Sequence, residues 1–534
     1  VTDTHVDVAI IGAGFAGIGL GIQLKRKGGA TFRLFERAGD VGGTWRDNRY
    51  PGVACDVPSH LYSYSFLPNP DWSRIFAPGD EILDYLRRAV RDERLAPHLS
   101  LDTEVRLIRW SEPDAHWRVE TTAGTYTAGS VVMAAGRLAE PVVPDVEGLE
   151  TFAGLAFHSA RWPDDLEPAD FAGKRVGVVG TGSSAAQLIP RVASAAQEVV
   201  VFQRSASWVL PREDREFAAV EKLEFAQHPS TRERLRESLF AAAEEGFDAR
   251  AMLPVPLASL RDRALAHLEA QVADPRLRAL LTPDYEIGCK RVVISDDFYP
   301  ALTGGNVVLE PSALRSVAGD HVLAESGATF DLDVLIFATG FNSTRPPYAR
   351  FVFGRGRGSL DEHWQDGMTA FASTVVHGFP NFFILNGPNA TLGHNSAIYM
   401  MESQFGYVLG ALEHLEAGGV PLDVTAQAER DYVRELDERS ASTVWKAGGC
   451  TSWYVDARSG RLTLIWPGRA GEFRERNGTF DAAPFDAALA DGALANTARA
   501  GGALAGGALA EPALAGSATP YPAEIAKSPP IPTR

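Results

Sequence analysis

Short runs of consecutive apolar residues, each ending in glycine and followed by a helix-spaced pattern, recur along the chain. Val6-Asp-Val-Ala-Ile-Ile leads into Gly12, and a helical pattern follows Gly17. Arg175-Val-Gly-Val-Val leads into Gly180, and a helical pattern follows again. A short continuous apolar run bounded by turn signals reads as a strand buried on both faces. Strand, glycine turn and helix together read as the opening of a βαβ unit. Further strands are predicted over residues 31–36 and 198–204. Each unit also has a later buried run ending in glycine, at residues 131–136 and 334–340.

Between residues 212 and 286 the apolar spacing becomes helical, with helices predicted over 231–244 and 257–272. The expected fold is therefore α/β, with two doubly wound, Rossmann-like dinucleotide-binding domains and a helical insertion. Residues 1–145 and 346–484 are expected to form one, discontinuous nucleotide-binding domain. Residues 146–211 and 287–345 are expected to form the other, with 212–286 as the insertion. Residues 485–534 repeat Gly-Ala-Leu-Ala and end Pro-rich, which suggests a poorly packed extension; a docked short helix is the alternative.

Composition narrows the function. The chain has 534 residues, 45% hydrophobic and 22% charged, with a net charge of −17. That balance argues against a nucleic-acid or anionic-membrane surface. It does not exclude phosphate-bearing cofactors, which bind at helix N-termini and a few local cations. No stretch has the ~20 uninterrupted apolar residues of a membrane-spanning helix. The apolar N-terminal stretch lacks a basic flank and is broken by glycines, so a nucleotide turn explains it better than a signal peptide. The three cysteines, Cys55, Cys289 and Cys450, are widely spaced and odd in number. They signal neither a disulfide framework nor a metal site, and the chain reads as cytoplasmic. The absence of CxxC also argues against a dithiol–disulfide reductase.

Gly12, Gly14 and Gly17 form GxGxxG directly after a predicted strand. The first glycine makes the turn, the second admits a pyrophosphate, and the third lets helix and strand pack closely. Glu36, 24 residues after Gly12, is placed to bond ribose hydroxyls. Gly180, Gly182 and Ala185 repeat the arrangement as GxGxxA, but 24 residues after Gly180 stands Arg204. A guanidinium there pairs with a 2′-phosphate, which a carboxylate would repel. The first turn thus suits FAD and the second NADPH; Arg204 as an ordinary surface arginine is the alternative.

The linker between the units reads FxGxxxHxxxWP from Phe152 through Gly154, His158 and Trp162 to Pro163. Here, and over roughly residues 5–470, the sequence resembles the type I Baeyer–Villiger monooxygenases, closest to the 4-hydroxyacetophenone monooxygenase branch. The resemblance implies FAD and NADPH as cofactors. It also implies conversion of a hydrophobic ketone and O2 to an ester or lactone through a C4a-peroxyflavin. Arg291 and Asp56 match active-site residues, Arg291 facing the flavin and Asp56 orienting it. Lys290 matches a lysine facing the 2′-phosphate. Cofactor contacts are implied at Phe15, Ala16, Thr44, Trp45, Asp56, Val57, Tyr62, Val105, Ala135, Gly136 and Asn389. They are also implied at Thr181, Ser183, Ser184, Gln187, Ser205, Ala338, Thr339 and Gly340. Trp453 resembles a mobile-loop tryptophan that closes over the nicotinamide. Phe341, Phe371, Ile398, Met400 and Met401 are candidates for a ketone pocket or for core. An N- or S-oxygenating flavin monooxygenase and a non-catalytic flavin-binding sensor are the competing readings.

Overall fold

The computed structural model describes residues 4–485 apart from Gly419. The expectation for the tail therefore lies outside the described residues, except at Phe485. Two sheets of Rossmann type organise the chain. At the centre of the first, Thr4–Ile11 pairs in parallel with Phe32–Phe35 on one side and Gly124–Met133 on the other. Val105–Ser111 and His116–Thr121 extend it through an antiparallel ladder. The chain returns to this sheet late, through Val352–Phe353 and Phe382–Ile384.

Alternation along the central strand explains why both faces are covered. Val8 and Ile10 enter one core with Ile18, Leu20 and Phe405, while Ala9 and Ile11 enter another with Val131 and Met133. Each fully buried aliphatic side chain contributes roughly 1.5–3 kcal/mol. The long helix Ala397–Gly418 covers the first helix, Phe15–Lys27. Gly19 lets them meet, since a Cβ there would fall 2.7 Å from the Phe405 ring.

The second sheet is wholly parallel, in the order Val307–Glu310, Glu198–Phe202, Arg175–Val179, Val334–Phe337, Leu155–His158. Val176, Val178, Val199 and Val201 face one core, and Val179, Val200 and Phe202 the other. The FxGxxxHxxxWP segment supplies the edge strand of this sheet, Leu155–His158, in register with Val334–Phe337. Gly154 permits its entry, because a Cβ would lie 2.2 Å from the Asp333 carbonyl oxygen. Four helices, Ala219–Gln227, Pro229–Arg250, Pro254–Gln271 and Pro275–Leu281, occupy the stretch read as an insertion. Among the described residues, no helix is long and apolar enough to cross a membrane.

The reading of the cysteines needs correction. Cys289 and Cys450 form a disulfide, and only Cys55 is free and buried. Their separation of 161 residues hid the pairing, since no local spacing announces a contact made by tertiary packing. Closing a loop of that length restricts the unfolded chain by roughly 5 kcal/mol on the chain-entropy description. Reduction, or Cys450→Ser, is therefore expected to lower the thermal midpoint. Calorimetry with and without dithiothreitol checks this; an equal midpoint with both thiols shown to be alkylatable would refute it.

Candidate functional site

The first glycine turn is built by close backbone approach. Gly12 has φ +109°, and a Cβ there would fall 2.6 Å from the Ala134 carbonyl oxygen. The following helix starts at Phe15 with Gly14 as its N-cap and no side chain closing it. Unclosed backbone N–H groups at a helix start favour an anion. Glu36 follows the strand Phe32–Phe35 directly and is 5% exposed. Its Oε2 accepts from the Ala13 amide at 3.0 Å and its Oε1 from the Ala38 amide at 3.1 Å. Arg46 Nη1 lies 3.0 Å from Oε1. The carboxylate is thus fixed at the rim of the turn, beside the uncapped helix. Thr44 and Trp45 stand on the next short helix, and the Trp45 indole donates to the Tyr62 hydroxyl at 3.3 Å. The Tyr62 ring in turn packs 5.2 Å from that of Phe15.

The second turn repeats the design. Gly180 has φ +113°, with the Ala338 carbonyl oxygen 2.7 Å from where a Cβ would be. Gly182 caps the helix Ser183–Ala193 without a side chain, and the space a Cβ would take there is open. Arg204 is exposed and makes no hydrogen bond or ion pair among the described residues. Beside it, Lys290 Nζ donates to Ser205 Oγ at 2.6 Å and lies 4.7 Å from the Tyr285 ring centre. Burial, and then the charge of Arg204, lower the Lys290 pKa. Two neighbouring cations without a bonded carboxylate suit a doubly anionic group, as a 2′-phosphate is.

Arg291, next in sequence to Lys290, and Asp56, in the segment after the helix Thr44–Asp47, form a two-point ion pair. Arg291 Nε donates to Oδ2 at 2.8 Å and Nη2 to Oδ1 at 2.6 Å. Burial alone would raise the Asp56 carboxyl, but the charge and hydrogen bonds of Arg291 outweigh it and hold it below its usual value. Asp56 in turn raises Arg291. The carboxylate's contribution is present above its unfolded pKa of ~4 and is lost as pH falls through the lower folded value, so the pair stays ionised at neutral pH. Tyr454 is buried beside Arg291, and its ring lies 4.2 Å from that of Trp453, which is 40% exposed. The disulfide joins the residue before Lys290 to the loop carrying Trp453.

Several of the residues singled out in the sequence have partners within the chain. The Gln187 amide links two segments, accepting from the Tyr50 hydroxyl at 2.8 Å and donating to the Ala54 carbonyl at 3.0 Å. The Asn389 amide donates to the carbonyls of Leu462 and Ile465. Val105 lies in the core under the first sheet. Ile398, Met400 and Met401 are core as well, and Phe371 packs on Tyr432. His158 is buried, accepts from the Ala160 amide at 3.1 Å, and is lowered to about 4 chiefly by burial, so it is neutral. The Trp162 indole donates to the Leu166 carbonyl at 2.8 Å. Sequence reasoning missed two cations near Asp56 and Arg291. Arg212 donates to the Cys55 carbonyl at 3.1 Å. Arg137 follows the strand Gly124–Met133, close enough to feel the charge of Arg291. Arg212 stands in no motif; Arg137 directly follows the buried run 131–136, whose apolar pattern marked the strand and not the charge after it.

Hydride exchange between two dinucleotides needs a turn for each, and this chain carries both; the fold and site define an oxidoreductase of the two-dinucleotide class. Residues 9–238 match the family described as pyridine nucleotide-disulphide oxidoreductase. A Baeyer–Villiger monooxygenase of Streptomyces coelicolor is 44% identical over 90% of this chain and 92% of its own. Among solved structures, an oxidised steroid monooxygenase bound to NADP is 32% identical with a TM-score of 0.78, covering 88% of this chain and 97% of that one. The complex of OTEMO with FAD and NADP has a TM-score of 0.79 at 27% identity, covering 89% and 97%. This chain belongs to the Baeyer–Villiger monooxygenases.

Arg204→Ala is expected to raise the KM for NADPH by about tenfold or more, the scale of a lost charge-assisted contact. The KM for NADH should barely move. Steady-state kinetics with both nucleotides checks this, and equal effects would reject the phosphate role.

Proposed function

We propose that this enzyme uses FAD, NADPH and O2 to convert a hydrophobic ketone to an ester or lactone, with Arg291 as its catalytic cation. The observation that carries this reading is the Arg291–Asp56 pair, which joins the residue next to Lys290 to the segment that follows the first turn. In this reading residues 1–145 and 346–484 form the flavin side, and residues 146–211 and 287–345 the nicotinamide side. Gly12, Gly14 and Glu36 hold FAD by its pyrophosphate and ribose. Gly180, Gly182, Arg204 and Lys290 hold NADPH. The bound flavin, reduced by NADPH, supplies the activation of O2, from which one oxygen atom enters the product and the other leaves as water.

The chain's own contribution is electrostatic. Attack on a ketone carbonyl places negative charge on the carbonyl oxygen, and a fixed cation stabilises that charge more than the neutral ketone. Arg291 is suited to this because its guanidinium stays protonated and donates several hydrogen bonds. Asp56 positions it: two hydrogen bonds fix the plane of the guanidinium and leave Nη1 outside the pair. Trp453 and Tyr454, on the loop tied through Cys450 to Cys289, exclude water from the nicotinamide side when the loop closes.

Arg291→Ala should keep bound flavin and still oxidise NADPH, while ester formation falls by at least about a hundredfold, as when a preorganised oxyanion donor is removed. Flavin absorbance, NADPH consumption and mass spectrometry of products from a panel of ketones, sulfides and amines separate these effects. Near-normal ester formation by the variant would reject the role of Arg291. Sulfoxides or N-oxides as the only products of the native enzyme would reject the ketone reading.

A further inference from the structure

The Cys289–Cys450 disulfide joins two segments that depend on it very unequally. Cys289 is fully buried, in an apolar core with Tyr285, Ile287, Val444 and Trp445. Its amide donates to the Glu286 carbonyl at 3.1 Å, and the Glu286 amide donates to the Gly448 carbonyl at 2.8 Å. The Glu286 carboxylate pairs with Arg261. The segment that leads into Lys290 and Arg291 is therefore held in place without the sulfur bridge.

The other end lacks such support. Cys450 is partly exposed, and its neighbours Gly449 and Thr451 are exposed. Among the described residues, the backbone of Gly449, Cys450 and Thr451 makes no hydrogen bond. Bonded backbone resumes further on: the Val455 amide donates to the Ser452 carbonyl at 3.1 Å, and the Asp456 amide to the Arg461 carbonyl at 2.9 Å. Between the helix Val444–Ala447 and that turn, the bridge to Cys289 is what ties the loop to the segment of Arg291. A stretch with so few bonds of its own opens at small free-energy cost once the tie is cut. The more exposed cysteine thus sits on the segment that is free to move.

We propose that this disulfide is a redox-controlled latch on the loop that carries Trp453. Oxidised, it keeps the loop beside Arg291; reduced by a dithiol, it lets the loop leave the nicotinamide side. A thiolate of the dithiol attacks Cys450 Sγ, the S–S bond breaks, and Cys289 leaves as a thiolate that takes up a proton. The second thiolate of the dithiol then attacks the mixed disulfide and releases Cys450, which is protonated in turn. Two electrons pass to the protein, the two protons of the dithiol end on Cys289 and Cys450, and the dithiol becomes a cyclic disulfide. Cys55 stays out of the exchange: it is buried, burial raises its thiol pKa, and the thiolate is the form that attacks. The role of the loop as a cover rests on the proposed function, whereas the latch rests on the bond and its two unequal ends.

The test uses the holoenzyme, oxidised or reduced with dithiothreitol, well below the thermal midpoint of either form. Hydrogen exchange followed by mass spectrometry reads the latch without turnover. Reduction is expected to speed exchange in the peptide covering Tyr454 and Val455 by about tenfold or more, as local opening does. The strand Thr4–Ile11 should be unaffected, and reoxidation should reverse the change. The double variant Cys289→Ser, Cys450→Ser should exchange fast with and without dithiothreitol. In turnover with NADPH and a ketone, after the dithiol is removed, the reduced enzyme should release at least about threefold more hydrogen peroxide per NADPH consumed, because an open loop admits water. Unchanged exchange at residues 454–455, with both thiols shown to be alkylatable, would overturn the proposal. So would equal peroxide release by the two forms of an ester-forming enzyme, or exchange that rises in Thr4–Ile11 as well, which would make the bond a staple of the whole fold. A loop that loosens in an enzyme giving no ester from any ketone would sink the Baeyer–Villiger reading and leave the latch standing.

Discussion

The ion pair between Arg291 and Asp56 is the contact on which the site depends. Its members are 235 residues apart, and neither segment holds its geometry alone. Asp56 belongs to the loop that follows the first βαβ unit. Arg291 arrives only after the chain has crossed the second glycine turn and the four helices of residues 219–281. A partly buried arginine without this carboxylate would carry an uncompensated charge, and a partly buried carboxylate without the arginine would be driven toward its neutral form. Folding of either half therefore favours docking of the other.

Other contacts reinforce the same junction. Tyr50 and Ala54 share the Gln187 amide, Arg49 pairs with Asp164 beyond Trp162, and Arg212 reaches the Cys55 and Phe76 carbonyls. These contacts are polar and directional, and apolar packing crosses the junction beside them: Trp208, Leu210, Tyr285 and Val292 share a core with Ala9, Ile11 and Met133, and Tyr50 packs with Val176 and Val178. The side chains of His158 and Trp162 bond locally, to Ala160 and Leu166, while the Trp162 carbonyl accepts from Arg49 Nη2 at 3.5 Å, so this segment stiffens the edge of the second sheet and ties it to the crossing.

Much of the fold was legible because it is periodic or local. Buried strands read as apolar runs, the insertion reads as a 3.6-residue repeat, and the glycine turns read at fixed spacing from Glu36 and Arg204. These signals lie within about two dozen residues of each other. What escaped was set by tertiary packing. The Cys289–Cys450 bond and the second role of Gln187 join residues with no common register. Ile398, Met400 and Met401 show the limit most plainly. Apolar residues at helical spacing fit a pocket wall and a core face equally well, and only the partner surface decides; here it is core.

Glu36 carries a further consequence. The carboxylate that edges the first turn already accepts two backbone hydrogen bonds and faces Arg46, all from its own chain. A buried acid that is satisfied in this way needs no ligand to stay in place. The turn is therefore self-supporting; on the proposed reading of it, a dinucleotide meets a seat already formed and adds to the stability of the folded chain by mass action.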